Sequence, residues 1–124
     1  MKNFSSKLSA SQQAERLLPP QRRVKAVLDT DAYNEIDDQF AILYAMLSPE
    51  KIDLQAIYAA LFYNGRSSSP ADGMEKSYQE ILKICGLTGR DPEGFVFRGC
   101  RAPLEGPELP QESEAVNDLI RKAR

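Results

Sequence analysis

Four aspartates, Asp29, Asp31, Asp37 and Asp38, fall within ten residues of one another. They lie between an apolar, β-branched run at 24–28 and an amphipathic run at 37–47. The first run has the length and composition of a buried strand, and in the second Ile36, Phe40, Leu43, Tyr44 and Leu47 recur at helical spacing. A strand, an acidic turn and a helix packed back on the strand are therefore expected. Four carboxylates held this close repel one another unless protons, backbone N–H groups or a cation offset the charge. A hard divalent cation fits best, because Ca²⁺ and Mg²⁺ take oxygen ligands.

The rest of the chain extends the same alternation. Ser9 to Gln12 reads as a capping box opening a short helix that Pro19 and Pro20 stop. After the helix at 37–47, Ser48 and Pro49 end the turn, and 54–62 reads as a second strand. A Ser/Pro/Gly loop at 64–73 leads to a helix over 74–85, with Tyr78, Ile81, Leu82 and Cys85 on one face and Gly86 as its stop. A third short strand is expected at 95–97, a proline-rich connection at 101–111, and a last helix at 113–122 with Ala115, Val116, Leu119 and Ile120 apolar. Strands alternating with helices imply an α/β fold: a Rossmann-like parallel sheet with flanking helices and right-handed crossovers. Residues 1–23 read as an N-terminal extension and 24–124 as one α/β domain.

Composition narrows the function classes. At 124 residues the chain has room for one ordinary domain. Hydrophobic content of 42% with 27% charged residues reads as globular, and a net charge of −2 supplies no basic face for nucleic acid. No apolar run approaches the length of a membrane span, and 1–23 lacks the continuous apolar segment of a secretory signal. Cys85 and Cys100 lack metal-ligand spacing and read as free thiols of a cytoplasmic protein. The chain has no histidine, so it supplies no imidazole acid or base.

In open α/β sheets ligands bind beyond the carboxyl ends of the strands. Asp29 and Asp31 leave the first strand there, and Asp37 and Asp38 open the next helix, whose dipole favours anions. The turn is expected to set the two pairs face to face. A plainer role exists for Asp37, as a helix cap. Asn64 reads either as a turn residue or as a site residue. Cys85 reads as core packing, and Tyr78 as core or pocket lining.

Asp29-Thr30-Asp31, followed after five residues by Asp37-Asp38 and an apolar helix, resembles the signature of the nucleoside hydrolases, the inosine/uridine-preferring N-ribohydrolase family. The common signature has three residues between the pairs; the longer spacing here, with Asn34-Glu35 inside it, is similar to one branch of that family. Asn64 stands where the family has an active-site asparagine. Val96-Phe97-Arg98-Gly99 with Pro103-Leu104 looks like its third strand and the loop after it. The resemblance runs from Arg23 to the end of the chain.

It implies the N-terminal half of a nucleoside hydrolase fold and hydrolysis of the N-glycosidic bond of ribonucleosides, with one Ca²⁺. By position, Asp31 and Asp38 are the implied calcium ligands, and Asp31 also the acceptor of a proton from calcium-bound water. Asp37 would hold the ribose hydroxyls, Asn34 and Asn64 would line the sugar or base site, and Asp29 would support the ligands. Family members are much longer and draw further ligands from later segments. The chain is therefore expected to be incomplete and inactive alone, and to associate with a missing C-terminal half or a second copy.

Two rival readings come from other classes. An apolar strand ending in Asp-x-Asp also resembles the haloacid-dehalogenase-type phosphatases, with Mg²⁺ and an aspartyl nucleophile. Those want Thr or Val where Tyr33 stands, and the Asp37-Asp38 pair is foreign to them. The other reading is a folded but catalytically inactive fragment.

Overall fold

The computed structural model describes residues 7–124, so residues 1–6 of the N-terminal extension lie outside the described residues. The elements run α1 (Ala10–Arg16), β1 (Val24–Thr30), α2 (Ile36–Met46), β2 (Ile52–Ala59), α3 (Pro70–Thr88), β3 (Val96–Arg98) and α4 (Glu114–Ala123). The strands form one parallel sheet in the order β1-β2-β3. This is the expected α/β arrangement, consistent with a Rossmann-like fold. Among the described residues no helix is long and apolar enough to cross a membrane.

Local chemistry accounts for the element ends. Ser9 caps α1 in a full capping box with Gln12, as its sequence predicts, yet α1 buries none of its residues. Ser113 caps α4 by accepting from the Val116 N–H. The helix α3 is longer than its apolar periodicity suggests. Ser69 caps it, Pro70 opens it, and it runs through Gly86 to a left-handed Gly89 at φ 69°. Gly86 therefore does not stop this helix. Gly89 can take the positive φ without strain, which is why the chain reverses there.

Side-chain alternation along the strands splits the core in two. On one face Ile57, Ala59 and Val96 pack with Ile42 of α2 and Met74, Ile81, Ile84 and Cys85 of α3, with Leu28 and Leu54 against them. On the other face Ala56 and Tyr58 pack with Ala115 of α4, and Val27 and Phe97 close around them. β1 pairs in parallel with β2 from Val24↔Ile52 to Thr30↔Ala59, with an irregularity that skips Gln55. On its far side β1 has no partner strand among the described residues, so it forms an open edge of the sheet.

Two helices bury only part of the expected face, with Leu43 of α2 and Ala115 of α4 turned inward as expected. In α2 the side chains turned to the core are Ile42, Leu43 and Met46, and the helix touches β2 and α3. Ile36, Phe40, Tyr44 and Leu47, expected inside, are 65–72% exposed. In α4 the inward positions are Ala115 and Asp118, and Leu119 and Ile120 stay substantially exposed.

Asp118 is 1% exposed and accepts a hydrogen bond from the Tyr58 hydroxyl at 2.8 Å. Arg121 and Lys122 pair with its carboxylate at 2.5 and 2.8 Å. Burial alone would raise this carboxyl, but the bonds from Lys122, Arg121 and Tyr58 outweigh it and hold the group below its ordinary value. This polar anchor fastens α4 to β2.

Candidate functional site at the carboxyl ends of the strands

β1 and β2 end side by side, and the loops after them meet above the sheet. The backbone turns at once after β1: the Asn34 N–H donates to the Asp31 carbonyl at 2.7 Å. In the same turn the Asn34 side-chain amide donates to Asp31 Oδ2 at 2.9 Å. This turn uses the longer spacing between the aspartate pairs, and it puts fully buried Ala32 into the core while Tyr33 stacks on Phe62, centroids 6.4 Å apart.

The loop after β2 reaches the same place. Asn64 Nδ2 donates to Asn34 Oδ1 at 2.6 Å, and the Arg66 N–H donates to Asn64 Oδ1 at 2.9 Å. The Arg66 guanidinium donates to the Asn34 carbonyl. Ser67 holds the loop down, its hydroxyl donating to the Phe62 carbonyl at 3.1 Å. Asp31, Asn34 and Asn64, all singled out by their sequence positions, thus form one continuous hydrogen-bonded rim. Thr30, Arg66 and Ser67 belong to the same construction and carry no sequence signal beyond lying beside the aspartates or in the Ser-rich loop.

The remaining aspartates are distributed by the geometry of strand and helix. Asp38 lies in the first turn of α2 and accepts from Thr30 Oγ1 at 2.6 Å, which ties the helix start to the strand end. Asp37 is exposed on that turn, and the N-cap is Glu35, which makes no side-chain capping bond. Asp37 is therefore not a cap. Asp29 still belongs to β1, and alternation turns it to the α4 face, opposite to Thr30 and Asp38. There it lines a cavity of about 300 Å³ with Val27, Tyr58, Cys100 and Leu119. Partial desolvation in that cavity, and then the nearby Asp31 charge, raise its carboxyl above the ordinary value, although its side chain keeps an exposed side.

The two aspartate pairs thus do not close on one point. Among the described residues no three carboxylate or thiol side chains gather closely enough to hold a metal ion. The donors are oxygens and match a hard cation in kind, but Ca²⁺ takes six to eight of them. The described residues do not gather such a set in this arrangement.

The other residues of interest have structural roles. Cys85 is fully buried in the core, and burial pushes its thiol up. Tyr78 is half-buried under the Arg98 guanidinium, 3.7 Å from its ring centroid. Arg98 is held in turn by Glu75 at 2.8 Å, and the hydrogen bonds from Arg98 bring the Glu75 carboxyl down to about 2. The rim can present carboxylate and amide groups to a ligand rich in hydroxyls, with one carboxylate oxygen, Asp31 Oδ1, left without a partner among the described residues. Comparison with protein-family models, with curated proteins and with solved structures returned no match, so the reading of this site rests on its geometry and its sequence pattern.

Proposed function

We propose that this chain carries the ribosyl-binding part of an N-ribohydrolase site, acting in the hydrolysis of ribonucleosides to base and ribose. The observation that supports it is the hydrogen-bonded rim Asp31–Asn34–Asn64 at the carboxyl ends of β1 and β2. This is the edge where open α/β sheets bind ligands, and it is built from groups that recognise hydroxyls. The resemblance of the aspartate motif to the nucleoside hydrolases supports the same reading.

In this reading Asp31 has its Oδ2 oriented by Asn34, which leaves Oδ1 to take a proton from an attacking water. As water adds to the anomeric carbon, the C–N bond breaks and the base leaves with the bonding pair, taking up a proton from solvent water. Asp37, exposed beside the rim, holds ribose hydroxyls, and Asn34 and Asn64 line the sugar. Asp31 and Asp38 are the residues that would hold Ca²⁺ once further oxygen ligands join them, with Asp29 as support. A bound cation would lower the pKa of water there. Residues 7–124 do not assemble that set by themselves, so little turnover is expected from the isolated chain. Free thiols at Cys85 and Cys100 fit a reducing compartment such as the cytoplasm.

Saturation-transfer NMR with inosine, uridine and free ribose, each with and without Ca²⁺, tests the reading. Saturation should reach ribose protons more than base protons and should disappear in Asp37→Ala. Absence of binding up to about 10 mM ligand, the weak end of specific recognition, would sink it.

A further inference from the structure

From Gln39 to Leu47 the helix α2 carries no charged side chain. A helix that is apolar all round is ordinarily enclosed, yet α2 is covered on one side only. Asp38 is bonded to Thr30 of β1, Ile42 and Met46 join the core, and Gln39 donates to Glu80 of α3 at 2.9 Å. At 100° per residue, Ile36, Phe40, Tyr44 and Leu47 stand roughly 120–160° around the helix from Ile42. They face outward from the sheet, on the side that leans toward α3. A strand joined to either edge of the sheet would extend its own layer and leave this stripe outside.

Helix α3 enlarges the patch. Both helices follow parallel strands, so they run in the same direction. About two turns beyond the Gln39–Glu80 bond, Leu87 of α3 stands level with Met46 and Leu47 of α2. The five side chains Ile36, Phe40, Tyr44, Leu47 and Leu87 are 65–81% exposed. Side chains of this size and exposure present on the order of 600 Å² of apolar surface, the upper end of what a lone molecule shows in one patch. Two copies would bury about 1,200 Å² together, above the roughly 1,000 Å² that a specific interface needs.

The order of the stripe suits its own image. Ile36 and Leu47 are aliphatic ends, Phe40 and Tyr44 an aromatic middle, and both pairs are centred beside Ala41 and Ile42. Two α2 helices crossing antiparallel at that point set Phe40 opposite Tyr44 of the second copy and Ile36 opposite its Leu47. A two-fold contact supplies each pair twice, and antiparallel helices also oppose their dipoles. A lipid surface fits less well: α2 has no Lys or Arg, and its first turn holds Asp37 and Asp38, whereas helices that lie on membranes are rich in basic residues.

We propose that the outward stripe of α2 is a homodimer interface, covered by the α2 stripe of a second copy of the chain, antiparallel about a two-fold axis beside Ala41 and Ile42, with Leu87 at its margin. The proposal stands apart from the ribohydrolase reading, since it uses neither substrate nor metal.

Sedimentation equilibrium of the full chain tests it. An interface of this size dissociates in the micromolar range or below, so the wild type at about 50 μM should be a discrete dimer. Phe40→Glu and Tyr44→Lys each bury two unpaired charges in the contact and should weaken the dimer about tenfold or more. Both side chains are exposed in the single copy, so circular dichroism and melting of each variant should match the wild type. In an equimolar mixture of the two variants the substituted positions face each other once, as an ion pair, and the wild-type Phe40 and Tyr44 face each other once. A one-to-one heterodimer should therefore form. A mixture that stays monomeric would overturn the antiparallel contact, as would a dimer indifferent to either variant, or polydisperse aggregates in place of a dimer. A wild type that is monomeric at about 200 μM, well above that range, would overturn it too. If that monomer bound phosphatidylcholine vesicles and Phe40→Glu did not, the stripe would be a membrane face instead.

Discussion

Asp118 illustrates how a single residue can depart from the pattern around it. Its position in α4 reads as one more charge on a helix surface, and Ala115, Val116, Leu119 and Ile120 read as the buried face. The fold instead turns Asp118 inward, where Tyr58, Arg121 and Lys122 occupy both its oxygens. Removing the carboxylate leaves the buried Tyr58 hydroxyl without an acceptor and two cations without their counter-ion. Asp118→Ala should therefore lower unfolding free energy by about 2–3 kcal/mol, read from urea denaturation. Asp118→Asn, which keeps an acceptor for Tyr58, should cost less. Equal stability of wild type and Asp118→Ala would show that the anchor contributes nothing. Asp31, by contrast, stands where the sequence pattern leads one to look, because its role depends on neighbours only three residues away.

Among the elements, α3 carries the loop that completes the rim. Its first turns press against the chain leaving β2: a Cβ at Gly73 would collide with the Phe62 carbonyl, which is backbone and cannot move aside. Ser67 binds that same carbonyl, and Asn64 lies between them. Gly73→Ala should force α3 and the 60–69 segment apart, costing about 1–3 kcal/mol of stability. It should also shift the Asn64 side-chain amide resonances in NMR spectra. Unchanged stability together with unshifted Asn64 signals would show that the contact is slack.

The start of α3 is an instance of local grammar outweighed by periodicity. Ser69-Pro70 is a helix opening, with cap and first residue in order. The apolar spacing is clear only from Met74 onward, so the sequence pattern places the start too late. In α2 the difficulty is of another kind. Ile36, Phe40, Tyr44 and Leu47 form one apolar stripe, and Ile42, Leu43 and Met46 contribute to another. Helical periodicity cannot choose between two stripes.

At the level of the whole molecule, the ionisable groups set a pH window. Glu75 and Asp118 have folded pKa values below their ordinary 4.5 and 3.8, so their contribution is complete above those values and is lost as pH falls through the folded ones. Tyr58 acts at the other end. Burial first, and then its bond to Asp118, raise its hydroxyl above 10.0, so the unfolded chain releases that proton earlier and stability falls as pH rises past 10.0. Asp29, raised above 3.8, opposes the acidic groups: the contribution of its protonated form fades as pH rises through its folded value. Melting temperature should therefore be flat between about pH 5 and 9 and fall on both sides. Thermal scans across that range check it, and a profile that climbs steadily into alkali would contradict the Tyr58–Asp118 geometry. In Tyr58→Phe the alkaline fall should shrink.

What the sequence determined by itself is whatever short-range chemistry decides. The strand–helix alternation, the parallel α/β class, the capping box at Ser9, the cap at Ser113, and the placing of Asp31, Asn34 and Asn64 near the ends of β1 and β2 all follow from residues a few positions apart. The tertiary structure decided the rest. It chose which stripe of α2 meets the sheet, turned Asp118 inward, and put Asp29 and Asp38 on opposite faces of β1 instead of gathering four carboxylates at one point. Periodicity states which side chains share a face. Which face is covered depends on packing partners tens of residues away, such as Glu80 beside Gln39 and Tyr58 beneath Asp118.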